Sequence, residues 1–564
     1  MEQYRILQEI DHDMIRKHLK YLSSFEKLSG SKAASTAAHY IRDCVSSYGV
    51  DCHLETFDGY LSNPVESTLE VIGEGISIKS RPRSFSRSVP EGVTGELVYD
   101  SSNLDKSLTD AEVSNRLKTF RGKVVVSHGF DERYEKRLET NGALGLIQIW
   151  TSSEDIIHED TVSGVWGTPT RDSALLVPSI PVVGITKNDG ERLIQLLRTK
   201  KVTVRISTRL ETDVFPCEIP VAEIKGQSDD FILMSCHYDT WYQGAFDNCA
   251  ANAAAIEIAK VLNDNKDKLK RSIRIAWWAG HSNGRYAGST WYNDNHFFEL
   301  REHCYAHVTA DLLGAQGCNL VGIRTTGVEG RQFVRNNANT VDPGVETLFF
   351  PVGRGADQSF WGSNIPIQFY ARYERSKELK DSDSPGPGVY WWHTEDDTYD
   401  HVDPEVYKKD ANLYFLNIYR LLTDDRLPFE PEEYFDNLLA LLHKFDESGH
   451  ELSCDEVVNA IGKLKSNTVR ALQNCTDEDY NWILKTVGGN MNRICQSCGS
   501  AYDQDLAFSG APVFTKLVAF LSKKKEDESP EEYVFLKTDF IRQRNRVISE
   551  VTRLNELLIS RMKL

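Results

Sequence analysis

Phe231-Ile232-Leu233-Met234-Ser235-Cys236-His237-Tyr238-Asp239 is the stretch that decides the fold. Residues 231–236 carry no charge and read as a buried strand, and a His-x-Asp step stands where that strand stops. Ten residues after His237 comes Asp247, in Gly244-Ala245-Phe246-Asp247-Asn248, at the start of an Ala-rich segment predicted to be helical over 247–262. Strand, polar turn and helix make one unit of an α/β domain. Ligands in such domains sit beyond the carboxyl ends of the strands.

The same rhythm extends outward. Residues 272–278 alternate as a strand, 288–295 start a helix, and 305–312 and 367–370 read as further strands. The segment 216–424 is therefore expected to be α/β with a mixed sheet. Upstream, 10–22 and 33–48 show helical spacing, with Gly49 as a stop, and 50–57 reads as a strand. Between them, 91–215 changes character: strands at 122–128, 144–150 and 180–185 and helices at 131–141 and 188–198 describe a small β-rich insert. From Pro428 onward the chain is helical, at 432–444, 454–472, 477–495, 513–523 and 531–564, with 523–528 expected to be a solvated charged turn. Three domains follow: a discontinuous α/β domain (1–90 and 216–424), an insert (91–215) and a helical domain (425–564).

Composition bounds the function. The 564 residues weigh 63.9 kDa, and 40% are hydrophobic, which suffices for several cores. Sixty-five basic against 83 acidic residues leave a net charge of −18, which disfavours nucleic acid as a partner. The sequence has no apolar run of membrane-spanning length, and its first twenty residues lack a signal-peptide core. Eleven scattered cysteines suit a reduced, cytoplasmic protein. Cys495 and Cys498 form one CxxC without a second pair, so helix packing is favoured over zinc or redox use.

Four residues fall just beyond predicted strands or at a helix start: His237, Asp247, Asp311 and, in Trp392-His393-Thr394-Glu395-Asp396-Asp397-Thr398, His393. Taken singly, Asp247 is equally a helix N-cap and His237 a satisfied loop histidine. Together, imidazole nitrogen and carboxylate oxygen form a set that suits zinc, with Asp239 available to orient His237.

His237-x-Asp239, Gly244-Ala-Phe-Asp247-Asn248, Gly288-Ser289, Asp311 and His393 resemble the co-catalytic zinc aminopeptidase family, and within it the glutamate carboxypeptidase and transferrin receptor branch. The resemblance implies a zinc-exopeptidase-like domain, a protease-associated insert and a helical dimerisation domain. It also implies that Asp247 bridges two zinc ions, with His237 and Asp311 at one and His393 at the other. In that family a Glu-Glu pair supplies the general base and a ligand of the second ion.

Here the sequence departs. After Trp278 stand Ala279-Gly280-His281-Ser282-Asn283-Gly284, so His281 and Ser282 occupy the Glu-Glu place, with one extra residue before Gly288-Ser289. Three readings stay open. His281 replaces the base, since imidazole titrates at about 6.5; or it replaces the ligand; or the site is dead for hydrolysis, serine being a poor zinc ligand.

Substrate-binding candidates are Arg354 and Arg372, able to fork a carboxylate, Trp392 as a pocket wall, and Arg285 as a nearby cation; structural ion pairs or core packing are the alternatives. The expected activity is metal-dependent hydrolysis of an amide or peptide bond in a small peptide-like substrate. One or two zinc ions would serve it, with His281 and Asp239 in catalysis. The expected assembly is a homodimer through the helical domain, with no membrane or nucleic-acid partner. The competing functions are a receptor-like binding scaffold and a single-zinc acyl transfer or cyclisation, as in the related glutaminyl cyclases.

Overall fold

The computed structural model describes residues 5–102, 104–105, 108–128, 132–353, 358–380, 387–445, 451–507 and 512–564. The strand Phe231–His237 lies at its centre with all seven residues buried. Its uncharged run from Phe231 to Cys236 is what a strand covered on both faces requires. Ser272–Trp278 and Cys304–Thr309 flank it in parallel, and Ile367–Glu374 continues the parallel order beyond Cys304–Thr309. Leu320–Thr325 then pairs antiparallel with Ile367–Glu374 and parallel with Glu346–Pro351, the sheet edge. The sheet is mixed, as expected.

Leu320–Thr325 and Glu346–Pro351 are strands that were not expected. The second has no buried residue and ends in proline, and its Leu348-Phe349-Phe350 run does not alternate. The strand expected at 305–312 stops at Thr309, which leaves Asp311 in the following turn.

Helices His12–Leu22, Lys32–Ser47 and Ala250–Asp264 cover one face. Ala250–Asp264 buries six alanines, and their small side chains let it lie close against the sheet. Asp11 caps the first helix, accepting from the amides of Asp13 and Met14 at 3.0 and 2.9 Å.

Asp247 does not start a helix. Residues Ala245–Cys249 form a wide irregular turn in which Asp247 (φ −118°, ψ 85°) and Asn248 (φ −139°, ψ 30°) are non-helical, and the α-helix begins at Ala250. The cause is a competing acceptor. The amides of Phe246 and Asp247 donate to the Asp397 carboxylate at 2.8 and 2.9 Å instead of entering the helix.

The insert is tied on by a long antiparallel ribbon. Asp51–Val71 pairs with Thr203–Ile224 from Asp51↔Glu223 to Val71↔Val204, with an irregularity at Pro64/Glu66. This strand is far longer than the 50–57 expected. It runs out of the α/β core into the insert, where Leu69, Val71 and Ile78 join Leu97, Ile147 and Ile206 in one apolar cluster. Residue 91, the expected boundary, falls inside the strand Val89–Asp100. The insert holds a helix not foreseen, Asp110–Lys118, which is closed by a capping box between Thr109 and Glu112.

The C-terminal helices, including Pro431–His443, Asp455–Leu472 and the 33-residue Pro530–Met562, share one continuous apolar core with the α/β domain. The turn at 523–528 is not simply solvated. Lys523 pairs with Asp110 of the insert and, at 3.6 Å, with Glu528, which is buried. None of the eleven cysteines is in a disulfide, Cys495 and Cys498 included. No described helix is long and apolar enough to cross a membrane.

Candidate metal centre

His237 ends its strand with the ring turned into the cleft at the sheet's carboxyl edge. Its Nδ1 donates to the Asp239 backbone carbonyl at 2.9 Å, with the Asp239 carboxylate further off at 3.5 Å. The carbonyl, rather than the expected carboxylate, therefore does most to fix the ring and leaves Nε2 facing inward.

Nε2 lies 3.0 Å from Asp247 Oδ1 and 3.5 Å from Asp311 Oδ1. His237 Nε2 and Asp311 Oδ1 are buried and make no aligned hydrogen bond. Three donor atoms converge here, all within 4.8 Å of one another. In tetrahedral zinc coordination neighbouring ligand atoms stand about 3.4 Å apart, which these separations bracket. A metal ion would satisfy both orphaned atoms, so the residues present fit one.

Electrostatics agree. Burial pulls the His237 imidazole down, but Asp239, Asp247 and Asp311 around it hold it well above its ordinary value. Burial pushes Asp247 up, yet contacts from His237 and His393 more than offset that and keep it ionised. Each ligand is supported in turn. Asn248 donates to the Ala310 carbonyl at 3.0 Å and accepts from Leu312 N–H at 3.2 Å, which ties the Asp247 turn to the Asp311 turn. Burial pushes Asp397 up to about 7 behind Asp247.

His393 approaches from the other side. It lies in a turn rather than at a strand end, with φ 57°, and its Nε2 is 2.9 Å from Asp247 Oδ2. Its Nδ1 donates to the Glu159 carbonyl at 3.1 Å, and its own carbonyl accepts from Glu159 N–H at 2.8 Å. The insert thus holds this ring. Next to it His158 is fully buried and stacks on Trp150 (3.8 Å, 10°); burial pulls it well below its ordinary value, so it is neutral. No motif pointed to His158 or Glu159.

The loop in the Glu-Glu place is built from outside. The Asp239 carboxylate accepts from the backbone amides of His281 (3.3 Å) and Ser282 (2.9 Å), and Gly280 N–H donates to Ser29 Oγ at 2.6 Å. The His281 ring stacks on His237 with centroids 3.7 Å apart and planes within 7°. Tyr286, next in the loop, stacks on Trp166 of the insert at 3.9 Å.

The substrate-binding candidates separate. Trp392 reaches the centre: its Nε1–H donates to Asp247 Oδ2 at 2.7 Å. Arg372 is buried behind Asp311, 3.3 Å from Glu374 and 3.4 Å from the Asp311 carbonyl, so the structural ion pair is what the geometry shows. Arg285 pairs with Glu132 of the insert, both largely buried. Arg354 lies outside the described residues.

A mixed α/β sheet thus carries, at its carboxyl edge, a buried His/Asp/Asp group that could hold a metal ion. Comparison agrees: residues 221–416, which contain His237, Asp247, Asp311 and His393, match the model of Peptidase family M28. Carboxypeptidase Q of Mus musculus is 24% identical over 361 residues, 59% of this chain and 72% of its own. Aminopeptidase YwaD of Bacillus subtilis (strain 168) is 22% identical over 413 residues, 71% of this chain and 82% of its own. The match to a probable glutamate carboxypeptidase of Zea mays, VP8, is partial, at 25% over 254 residues, 41% of this chain and 34% of its own. Among solved structures, the aminopeptidase from Aneurinibacillus sp. strain AM-1 superposes with a TM-score of 0.57 at 19% identity, over 76% of this chain and 98% of that one.

Proposed function

We propose that this chain is a zinc-dependent hydrolase that cleaves an amide or peptide bond in a small peptide-like substrate. The observation that carries the reading is the convergence of His237 Nε2, Asp247 Oδ1 and Asp311 Oδ1, with two of the three orphaned in the interior. A divalent ion held by these residues supplies Lewis acidity and lowers the pKa of water.

The chain's own residues do the rest. Of the readings open for His281, the geometry supports the base. The ligand reading would turn His281 toward His393 and Asp247 Oδ2, whereas its ring lies flat on the His237 ring, 3.7 Å between centroids. From there an imidazole can take a proton from the attacking water and return it to the leaving nitrogen. Asp239 acts through the loop, fixing His281 by its backbone amide. Trp392 and the insert residues around His158 wall the cleft and limit water. Self-association through the C-terminal helices, where Phe535 and Leu557 are exposed on Pro530–Met562, and a cytoplasmic location complete the proposal.

The test joins elemental analysis of the purified chain to a panel of dipeptides, N-blocked amino acids and amino-acid amides. Bound zinc with turnover that is lost on chelation and regained with zinc is expected. A fully folded chain that binds no zinc and turns over nothing would leave the receptor-like scaffold in its place.

A further inference from the structure

The two oxygens of Asp247 have different surroundings. Oδ1 faces His237 and Asp311, and the three make a complete set of protein ligands for one catalytic ion. Oδ2 faces two nitrogens: Trp392 Nε1 at 2.7 Å and His393 Nε2 at 2.9 Å. An indole N–H only donates, and an ionised carboxylate oxygen offers about two lone-pair directions. One of those directions is therefore taken by a proton.

We infer that the centre takes a single divalent ion, the place of a second being taken by the hydrogen bond that Trp392 donates to Asp247 Oδ2, beside the His393 imidazole at 2.9 Å from the same oxygen. This rests on the metal-dependent reading above and sharpens it.

Three further observations support it. Among the described residues, Asp247 Oδ2 and His393 Nε2 belong to no further group of three metal-capable donors, short of the three that catalytic zinc sites use. His393 Nδ1 is committed to the Glu159 carbonyl and is no alternative ligand. In the Glu-Glu place, the amides of His281 and Ser282 are bound to Asp239, the His281 ring is stacked on His237, and Ser282 carries only a hydroxyl. His393 is then a residue that positions Asp247 from the insert side, and Trp392 does the same from within the turn.

The experiment counts metal on the full-length chain. The protein is saturated with zinc, freed of loose metal by gel filtration and measured by elemental analysis. In parallel the apo protein is titrated with Co(II) and followed by its visible absorption. About one zinc per chain is expected, with a cobalt spectrum saturating at one equivalent and His393→Ala keeping its ion. Two equivalents in the wild type, or a folded His393→Ala that has lost its ion, would overturn the inference. No bound metal would instead sink the hydrolase reading beneath it. The wild-type count and the cobalt titration decide the matter even where the variant does not fold.

Discussion

The rings of His237 and His281 lie face to face, 3.7 Å between centroids and 7° from parallel. One ring belongs to the group that could hold a metal ion, and the other to the loop that the sequence places where the resembling family has a Glu-Glu pair. Stacking holds His281 against His237, and the proposed function makes it a base rather than a ligand. His281→Ala is therefore expected to lower kcat by about 10²- to 10⁴-fold, the usual worth of a general base, with the bound zinc unchanged. Steady-state kinetics and elemental analysis on the same preparation check it. Unchanged turnover would remove the base role, and lost zinc would make His281 a ligand after all.

Asp247 is the residue on which both sides of the centre meet, through Oδ1 to His237 and through Oδ2 to Trp392 and His393. Asp247→Ala should strip the ion, weakening zinc binding by more than the ~10- to 100-fold typical of losing an outer-shell partner. A competition titration with a chromophoric chelator measures this. A variant that keeps its full metal complement would show that the ion sits elsewhere.

What the sequence revealed depended on how local each signal is. His237 and Asp247 were legible because one short segment carries a buried strand, its end and the next turn. The Ala-rich run after Asp247 was legible as a helix, but its start was not. Whether residue 247 is helical depends on Asp397, 150 residues away, which takes the amides the first turn would have used. The tether from Glu159 to His393 spans 234 positions and uses a backbone carbonyl, which no side-chain pattern can announce. Arg372 looked like a substrate anchor because a cation near a pocket-forming segment reads the same whether it faces the ligand or the core. Its partner Glu374 is two residues along the same strand, on the same face.

Arg285 and Glu132 join the His281 loop to the insert, with side chains only 12% and 13% exposed. Breaking such a pair leaves one charge buried without its counterpart, at a cost of about 3–5 kcal/mol. Arg285→Met and Glu132→Gln are each expected to destabilise the insert, and the double variant by less than the sum of the two. Thermal unfolding followed by tryptophan fluorescence reads this, since Trp166 lies against the same junction. Fully additive effects would mean the two side chains do not interact.

Glu135, in the same insert helix Glu132–Thr140, is buried, and burial followed by the charge of Glu139 pushes it up to about 8. An unfolded glutamate titrates at about 4.3. Between those values the folded chain holds a proton that the unfolded chain has released, so folding stability falls as pH rises through the window. Glu135→Gln keeps the neutral form at every pH and removes that slope. Its melting temperature should match wild type near pH 4.5 and pull ahead steadily toward pH 8, by about 2–4 °C for each kcal/mol recovered. Scanning calorimetry of both proteins across this range checks it. Parallel curves would mean that Glu135 is charged in the folded state and that its burial carries no cost.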